Sequence, residues 1–284
     1  MQMIQLKARA KINLSLDVVG KRPDGYHEVK MIMQTIDLYD DIFIEQTDHG
    51  ISIECGCPWV PENCDNIAYK AAQLLVDNYN IKGGIKIRIN KNIPVAAGLA
   101  GGSSDAASVI KGINKIFDLG INEAEMMLLG KQIGADVPYC IKGGTMLAEG
   151  IGEVLTELPA LQETHIVLVK PKIGVSTPWV YKNLRLDTIS QRPDTELLIN
   201  SIKNHDKHYL AANMVNVLET VTIPKYTVIQ RIKEALLALG ALGSMMSGSG
   251  PSVFGIFDNS QSAEKAYIEI KKSNWDCFLT KSVQ

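Results

Sequence analysis

The chain has 284 residues, 46% of them apolar and 21% charged, with a formal net charge of −2. That is enough apolar material for two cores, and it leaves no global positive field to hold a nucleic-acid backbone. No uninterrupted apolar run approaches the roughly 20 residues that cross a bilayer, and no basic cluster precedes a hydrophobic N-terminal segment, so the reading is cytoplasmic, with no nucleic-acid and no membrane partner.

Over 4–18 every even position is apolar and every odd position polar. Period two predicts a long or bent strand with one face in a core, which puts Lys11 and Asn13 together on the other face, toward water or a cleft. Arg22-Pro23-Asp24-Gly25 is turn chemistry, from which Tyr26 and His27 emerge. Strand-like stretches follow at 29–36, 42–46 and 51–55. Five cysteines, Cys55, Cys57, Cys64, Cys140 and Cys277, are odd in number and too few for a disulfide framework. The first three lack a fourth Cys or His at finger spacing, so reduced thiols are expected, not a zinc site. Asp65 is placed to cap a helix reaching about Asn78, and Ile85, Ile87 and Ile89 alternate as the next strand.

The segment Pro94-Val95-Ala96-Ala97-Gly98-Leu99-Ala100-Gly101-Gly102-Ser103-Ser104-Asp105 then feeds an amphipathic helix. A second helix, capped by Asn122, runs to about Ile133, with Gly134 at its end and Asp136 in the turn before Pro138. The pattern changes around 158–163, which sets a boundary between domains 1–160 and 161–284. Beyond it come a strand at 166–169, helical passages near 195–218 and 225–239, a glycine-broken strand pair at 242–247 and 253–257, a helix at 263–272 and a last strand at 277–282. This order resembles a split β-α-β unit on an antiparallel sheet.

The glycine-rich loop carries the chemistry. Backbone N–H groups at a helix start lack intrahelical acceptors, and the helix dipole favours negative charge there, so phosphate binds at such a place. Gly98, Gly101 and Gly102 let the main chain come close, while Ser103 and Ser104 can add hydroxyl donors or cap the helix; an ordinary capped turn is the plainer alternative. The Walker spacing, the dinucleotide fingerprint and the Gly-x-Ser-x-Gly elbow are all absent.

Three separated segments together resemble the GHMP kinases, the family named for galactose, homoserine, mevalonate and phosphomevalonate. They are Ala8-Arg9-Ala10-Lys11-Ile12-Asn13-Leu14, the loop over 94–107, and Ser247-Gly248-Ser249-Gly250-Pro251-Ser252. The resemblance implies an α+β, two-domain GHMP kinase fold, with an N-terminal domain like ribosomal S5 domain 2 and a ferredoxin-like C-terminal split β-α-β. It also implies an ATP-dependent kinase of small molecules, a monomer or homodimer, whose ATP brings Mg2+ on its phosphates with no assigned protein ligand. Lys11-Ile-Asn13 through Gly20-Lys-Arg22-Pro-Asp24-Gly25-Tyr26-His27, with Gly134-Ala-Asp136-Val-Pro138, resembles the branch that phosphorylates the 2-hydroxyl of a cytidine diphosphate-linked methylerythritol in non-mevalonate isoprenoid synthesis. By that resemblance Asp136 is the general base, with Lys11 beside it. Residues 94–104 and Asn66 bind ATP. Tyr26 and Tyr181 stack the cytosine, His27 reads its edge, and Asn13 and Thr177 complete the substrate contacts. Ala96, Ala97 and Ala100 stand where this branch more often has glycine, so positive φ at any of them would be strained. A sister kinase acting on mevalonate, phosphomevalonate or homoserine, and a non-catalytic nucleotide-binding protein, are the alternatives.

Overall fold

The computed structural model describes residues 2–284, which group into two compact units, each drawn from three stretches of chain. The first takes the chain through Ala10, Leu38–Val95 and Ala100–Gly143; the second takes Lys11–Asp37, Ala96–Leu99 and Gly144–Gln284. Two long strands, β1 (Met3–Lys21) and β2 (His27–Thr47), pair with one another and contribute to both units. Where sequence patterning predicts two strands at 29–36 and 42–46, β2 is continuous: backbone pairing passes through the polar stretch between them, because the ladder bonds do not depend on side-chain polarity.

In the first unit β3 (Ile51–Glu54) runs parallel to β4 (Gly84–Asn90), and β4 pairs antiparallel with Asp41–Thr47 of β2. The alternating Ile85, Ile87 and Ile89 enter a core shared with α1 (Ile67–Tyr79), α2 (Gly101–Ile116), α3 (Glu123–Ile133) and α4 (Val137–Lys142). The cap of α1 is Asn66, not Asp65: its Oδ1 accepts from the Ala68 N–H at 2.9 Å, while the Asp65 N–H is held one turn earlier by the Asn63 side chain. α3 begins at its Asn122 cap and ends at Gly134, as its periodicity predicts. Pro138 lies beyond that end, as expected, and falls in the first turn of α4, where a missing N–H costs nothing.

In the second unit β5 (Thr145–Glu149) pairs antiparallel with Met31–Gln34 of β2, and β6 (Val154–Glu157) pairs with β5. After β7 (His165–Lys170) come α5 (Thr177–Asn183), α6 (Thr195–Lys203), α7 (Lys207–Ala212), α8 (Glu219–Lys225) and α9 (Val228–Ala238). Then follow β8 (Gly243–Met246), β9 (Val253–Phe257), α10 (Ser260–Ile270) and β10 (Asp276–Lys281). The helical passage expected over 195–218 is broken because His205 turns left-handed (φ 56°) and Asp206 caps a new helix through the Tyr209 N–H. The four strands from β7 to β10 make an antiparallel sheet in the order β10-β7-β9-β8, the fourth-first-third-second arrangement of a split β-α-β. Ile166, Val167, Leu168 and Val169 of β7 are all wholly buried, so this strand is apolar on both faces.

Candidate active site

The loop between β4 and α2 turns left-handed at Ala96 (φ 51°), Gly98 (φ 76°) and Ala100 (φ 56°). Gly98 is obligatory, since a Cβ there would stand 2.2 Å from the Ser247 carbonyl oxygen. Ala96 and Ala100 do carry a Cβ in that region, at a strain of about 1 kcal/mol each. α2 starts at Ala100 with no side-chain cap, and a helix start leaves its first N–H groups without intrahelical acceptors, here those of Gly101, Gly102 and Ser103. Ser104 is turned inward, its hydroxyl donating to the Arg9 carbonyl at 2.7 Å, whereas Ser103 is only half-buried.

Within the second unit the middle of this loop lies between β1 and the turn after β8. The Leu99 carbonyl accepts from the Lys11 N–H at 3.1 Å, and the Gly98 carbonyl from the Ser247 hydroxyl at 3.0 Å. Asn13 binds the two sides together. Its Oδ1 accepts from the Lys11 ammonium at 2.7 Å and from the Gly248 N–H at 3.0 Å, and its amide donates to the Met31 sulfur. The first motif, 96–99 and the third motif therefore pack against one another. Lys11 and Asn13 do not face water: from Lys11 to Asp17 the odd face of β1 is covered, leaving Lys11 5% and Asn13 0% exposed. The strand tolerates this because its buried polar groups have partners, Ser15 accepting from the Ile32 N–H and Asp17 from Arg192.

Asn216, which sequence reasoning missed, holds the third motif from behind: its amide donates to the Met246 and Gly248 carbonyls, both at 2.8 Å. No periodicity or motif marks it, because its partners lie about 30 residues away. The Thr177 and Ser249 hydroxyls bond at 2.7 Å, which joins the start of α5 to the same motif. Tyr181, on α5, has its ring centroid 5.1 Å from that of His27, and Tyr26 beside it is 61% exposed. Burial, with Lys21 nearby, holds the His27 imidazole below its ordinary pKa, so it is neutral at pH 7.

In the first unit, Asp136 is half-buried at the start of α4 and its carboxylate does not cap that helix. Asn66 is buried and committed at both ends of its amide, to the Ala68 N–H and the Pro61 carbonyl. A Cβ on Gly102 would meet Ile67, the next residue, at 3.4 Å, so the start of α1 adjoins the start of α2.

Comparison with known proteins agrees with this geometry. Residues 66–144 match the GHMP kinases N terminal domain and residues 198–276 the GHMP kinases C terminal domain. The chain is 64% identical, over all of both chains, to 4-diphosphocytidyl-2-C-methyl-D-erythritol kinase of Acetivibrio thermocellus. It is 52% identical to a Clostridium botulinum protein of the same name, over 99% of this chain and 100% of that one. Among solved structures, a 4-(cytidine 5'-diphospho)-2C-methyl-D-erythritol kinase superposes with a TM-score of 0.87 at 28% identity, covering 99% of this chain and 100% of that one. A homoserine kinase from Cytophaga hutchinsonii shares the fold at a TM-score of 0.78 and 19% identity, over 100% and 95% of the two chains. The chain belongs to the GHMP kinases, ATP-dependent kinases of small molecules, and has their α+β fold with N- and C-terminal domains.

Replacing Ala100 with glycine relieves the left-handed strain at some cost in unfolded-state entropy, for a net gain of up to roughly 0.6 kcal/mol. Thermal unfolding should show a Tm higher by up to about 2 °C; a Tm lowered by several degrees would mean the alanine is not strained.

Proposed function

We propose that the chain transfers the γ-phosphoryl group of ATP to the 2-hydroxyl of 4-diphosphocytidyl-2-C-methyl-D-erythritol, a step of non-mevalonate isoprenoid precursor synthesis. The observation that carries this is the full-length, 64% identity to the Acetivibrio thermocellus enzyme named for that substrate. Phosphoryl transfer asks little covalent chemistry of the protein, so the roles are positioning and charge stabilisation. Residues 94–104 hold the ATP phosphates against the start of α2. Asp136 takes or orients the proton of the acceptor hydroxyl, and Lys11 steadies charge on the transferring group. The Asn13 oxygen at 2.7 Å, itself fixed by the Gly248 amide, supports the Lys11 role by aiming the ammonium.

His27 and Tyr181 are the substrate-recognition pair, with the exposed Tyr26 as the second stacking face for cytosine; their ring contact supports the assignment. Neutral His27 offers the pyrimidine edge one donor and one acceptor. Asn13 and Thr177 complete the substrate contacts, and Asn66 lines the adenine side. A magnesium ion held by the ATP phosphates would offset part of their charge. Among the described residues no group of three or more His, Cys, Asp or Glu side chains is placed to hold a metal ion. The domain assignment remains 1–160 and 161–284, and the two family matches fall on either side of that boundary. No described helix is long and apolar enough to cross a membrane.

Asp136→Ala and Lys11→Ala should each lower kcat by about 10²–10⁴-fold while circular dichroism stays parental; near-parental turnover in either variant removes that residue from the mechanism. Tyr26→Leu and Tyr181→Leu should each raise KM for the cytidylated alcohol roughly tenfold and leave KM for ATP unchanged. Because the His27 pKa is lowered, KM for the same substrate should be flat from about pH 6.5 upward and rise only below it, as the ring takes up a proton. A KM that instead rises between pH 7 and 8 would rule His27 out as the titrating group.

A further inference from the structure

Away from the residues given roles above, the first unit buries three charged side chains in one cluster. Lys91 follows directly on β4, Asp40 lies on β2, and Asp105 lies in the second turn of α2. The Lys91 ammonium donates to Asp40 at 2.5 Å and to Asp105 at 2.8 Å, with side chains 8%, 0% and 4% exposed respectively. The other oxygen of Asp40 accepts the Asn92 and Ile93 N–H groups, at 2.6 and 2.8 Å. The cluster thus grips the backbone that leads into the glycine-rich loop and the helix that leads out of it. It also reaches the helix start directly, since a Cβ on Gly101 would lie 3.3 Å from the Lys91 nitrogen.

We propose that Lys91, Asp40 and Asp105 form a clasp that holds the two ends of the phosphate loop at a fixed separation, with Asp105 present as the neutral carboxylic acid. Asp105 is a positioning residue: it acts on ATP through the loop. The proposal rests on the reading of that loop as the ATP phosphate site.

Charge counting carries the second half. One ammonium faces two carboxyl groups with almost no access to water, so a fully ionised cluster would hold an uncompensated buried negative charge, and a proton on one carboxyl removes it. Asp40 accepts from two backbone N–H groups as well as from Lys91. Asp105 accepts from Lys91 and shares a side-chain hydrogen bond with Asp40, while its Oδ1 is buried with no hydrogen-bond partner, an arrangement far costlier for a carboxylate than for an acid. In agreement, burial pushes the Asp105 pKa up to about 8, with Lys91 opposing and Asp40 reinforcing. Burial also opposes the Lys91 charge, but the two carboxyls outweigh it and keep Lys91 protonated. The buried Cys55 thiol also faces the cluster, and burial raises its pKa.

The test compares three variants by steady-state kinetics and thermal unfolding. Asp105→Leu should raise KM for ATP about tenfold or more, leaving KM for the alcohol unchanged, because a displaced loop weakens only the nucleotide site. Asp105→Asn, which keeps an acceptor for Lys91 and puts an N–H donor in place of the acid proton, should restore KM for ATP to within about threefold of the parent. An acid whose pKa is raised on folding makes the parent lose stability as pH rises from about 4 to 8. The Tm of Asp105→Asn should therefore gain on the parental Tm between pH 5 and pH 8. A folded Asp105→Leu protein with parental KM for ATP overturns the clasp. If Asp105→Leu does not fold, Asp105→Asn decides alone: a tenfold rise in KM for ATP, or a Tm difference that does not widen with pH, overturns it. Gly102→Val, placed at the helix start where a Cβ has room, separates this from failure of the loop reading. Parental KM for ATP there removes the loop from ATP binding, and the clasp's role with it; a raised value beside a parental Asp105→Leu removes the clasp alone.

Discussion

The side-chain oxygen of Asn13 accepts two donors at once, the Lys11 ammonium and the Gly248 amide, and the organisation of the second unit follows from it. A strand that buries a lysine must give the ammonium hydrogen bonds, or the charge is lost to deprotonation. Asn13 supplies one, and in doing so fixes the start of the third glycine motif against β1. Asn216 then holds that motif through the Met246 and Gly248 carbonyls. The Ser247 carbonyl, set in place by these bonds, leaves no room for a side chain at position 98.

The two alanines of the loop show how this constraint overrides local preference. Ala96 and Ala100 sit in the left-handed region that glycine occupies freely, yet the backbone passes through it at both positions. Bonds from Lys11 and Ser247 to the carbonyls of Leu99 and Gly98 hold the intervening segment in shape, so a strain of about 1 kcal/mol per alanine is outweighed.

The buried polar side chains of β1 and of the Lys91 cluster each have a hydrogen-bond partner. On β1 each buried polar side chain has a nearby donor or acceptor: Ser15 meets a backbone N–H and Asp17 meets Arg192. The Lys91 cluster meets the same demand with an excess carboxyl, and protonation removes the surplus charge. A single cut near residue 160 describes chain order, whereas packing groups residues into interleaved stretches, because β1 and β2 are long enough to contribute to both compact units.

Period-two alternation over 4–18, the Asn122 and Gly134 bounds of α3, the strands around 166–169 and 253–257, and the three motifs were legible in the chain itself, because each depends on neighbours within a few residues. The burial of Lys11 and Asn13, the hold of Asn216 on the third motif, the ring contact of His27 with Tyr181 and the Asp40-Lys91-Asp105 cluster were not. Their partners lie 14 to 235 residues apart, for example Asp105 from Lys91 and Gly248 from Asn13. Local sequence sets which elements form and which faces are apolar; which polar groups meet, and hence which are charged or aimed, is decided only when distant segments close over one another and exclude water.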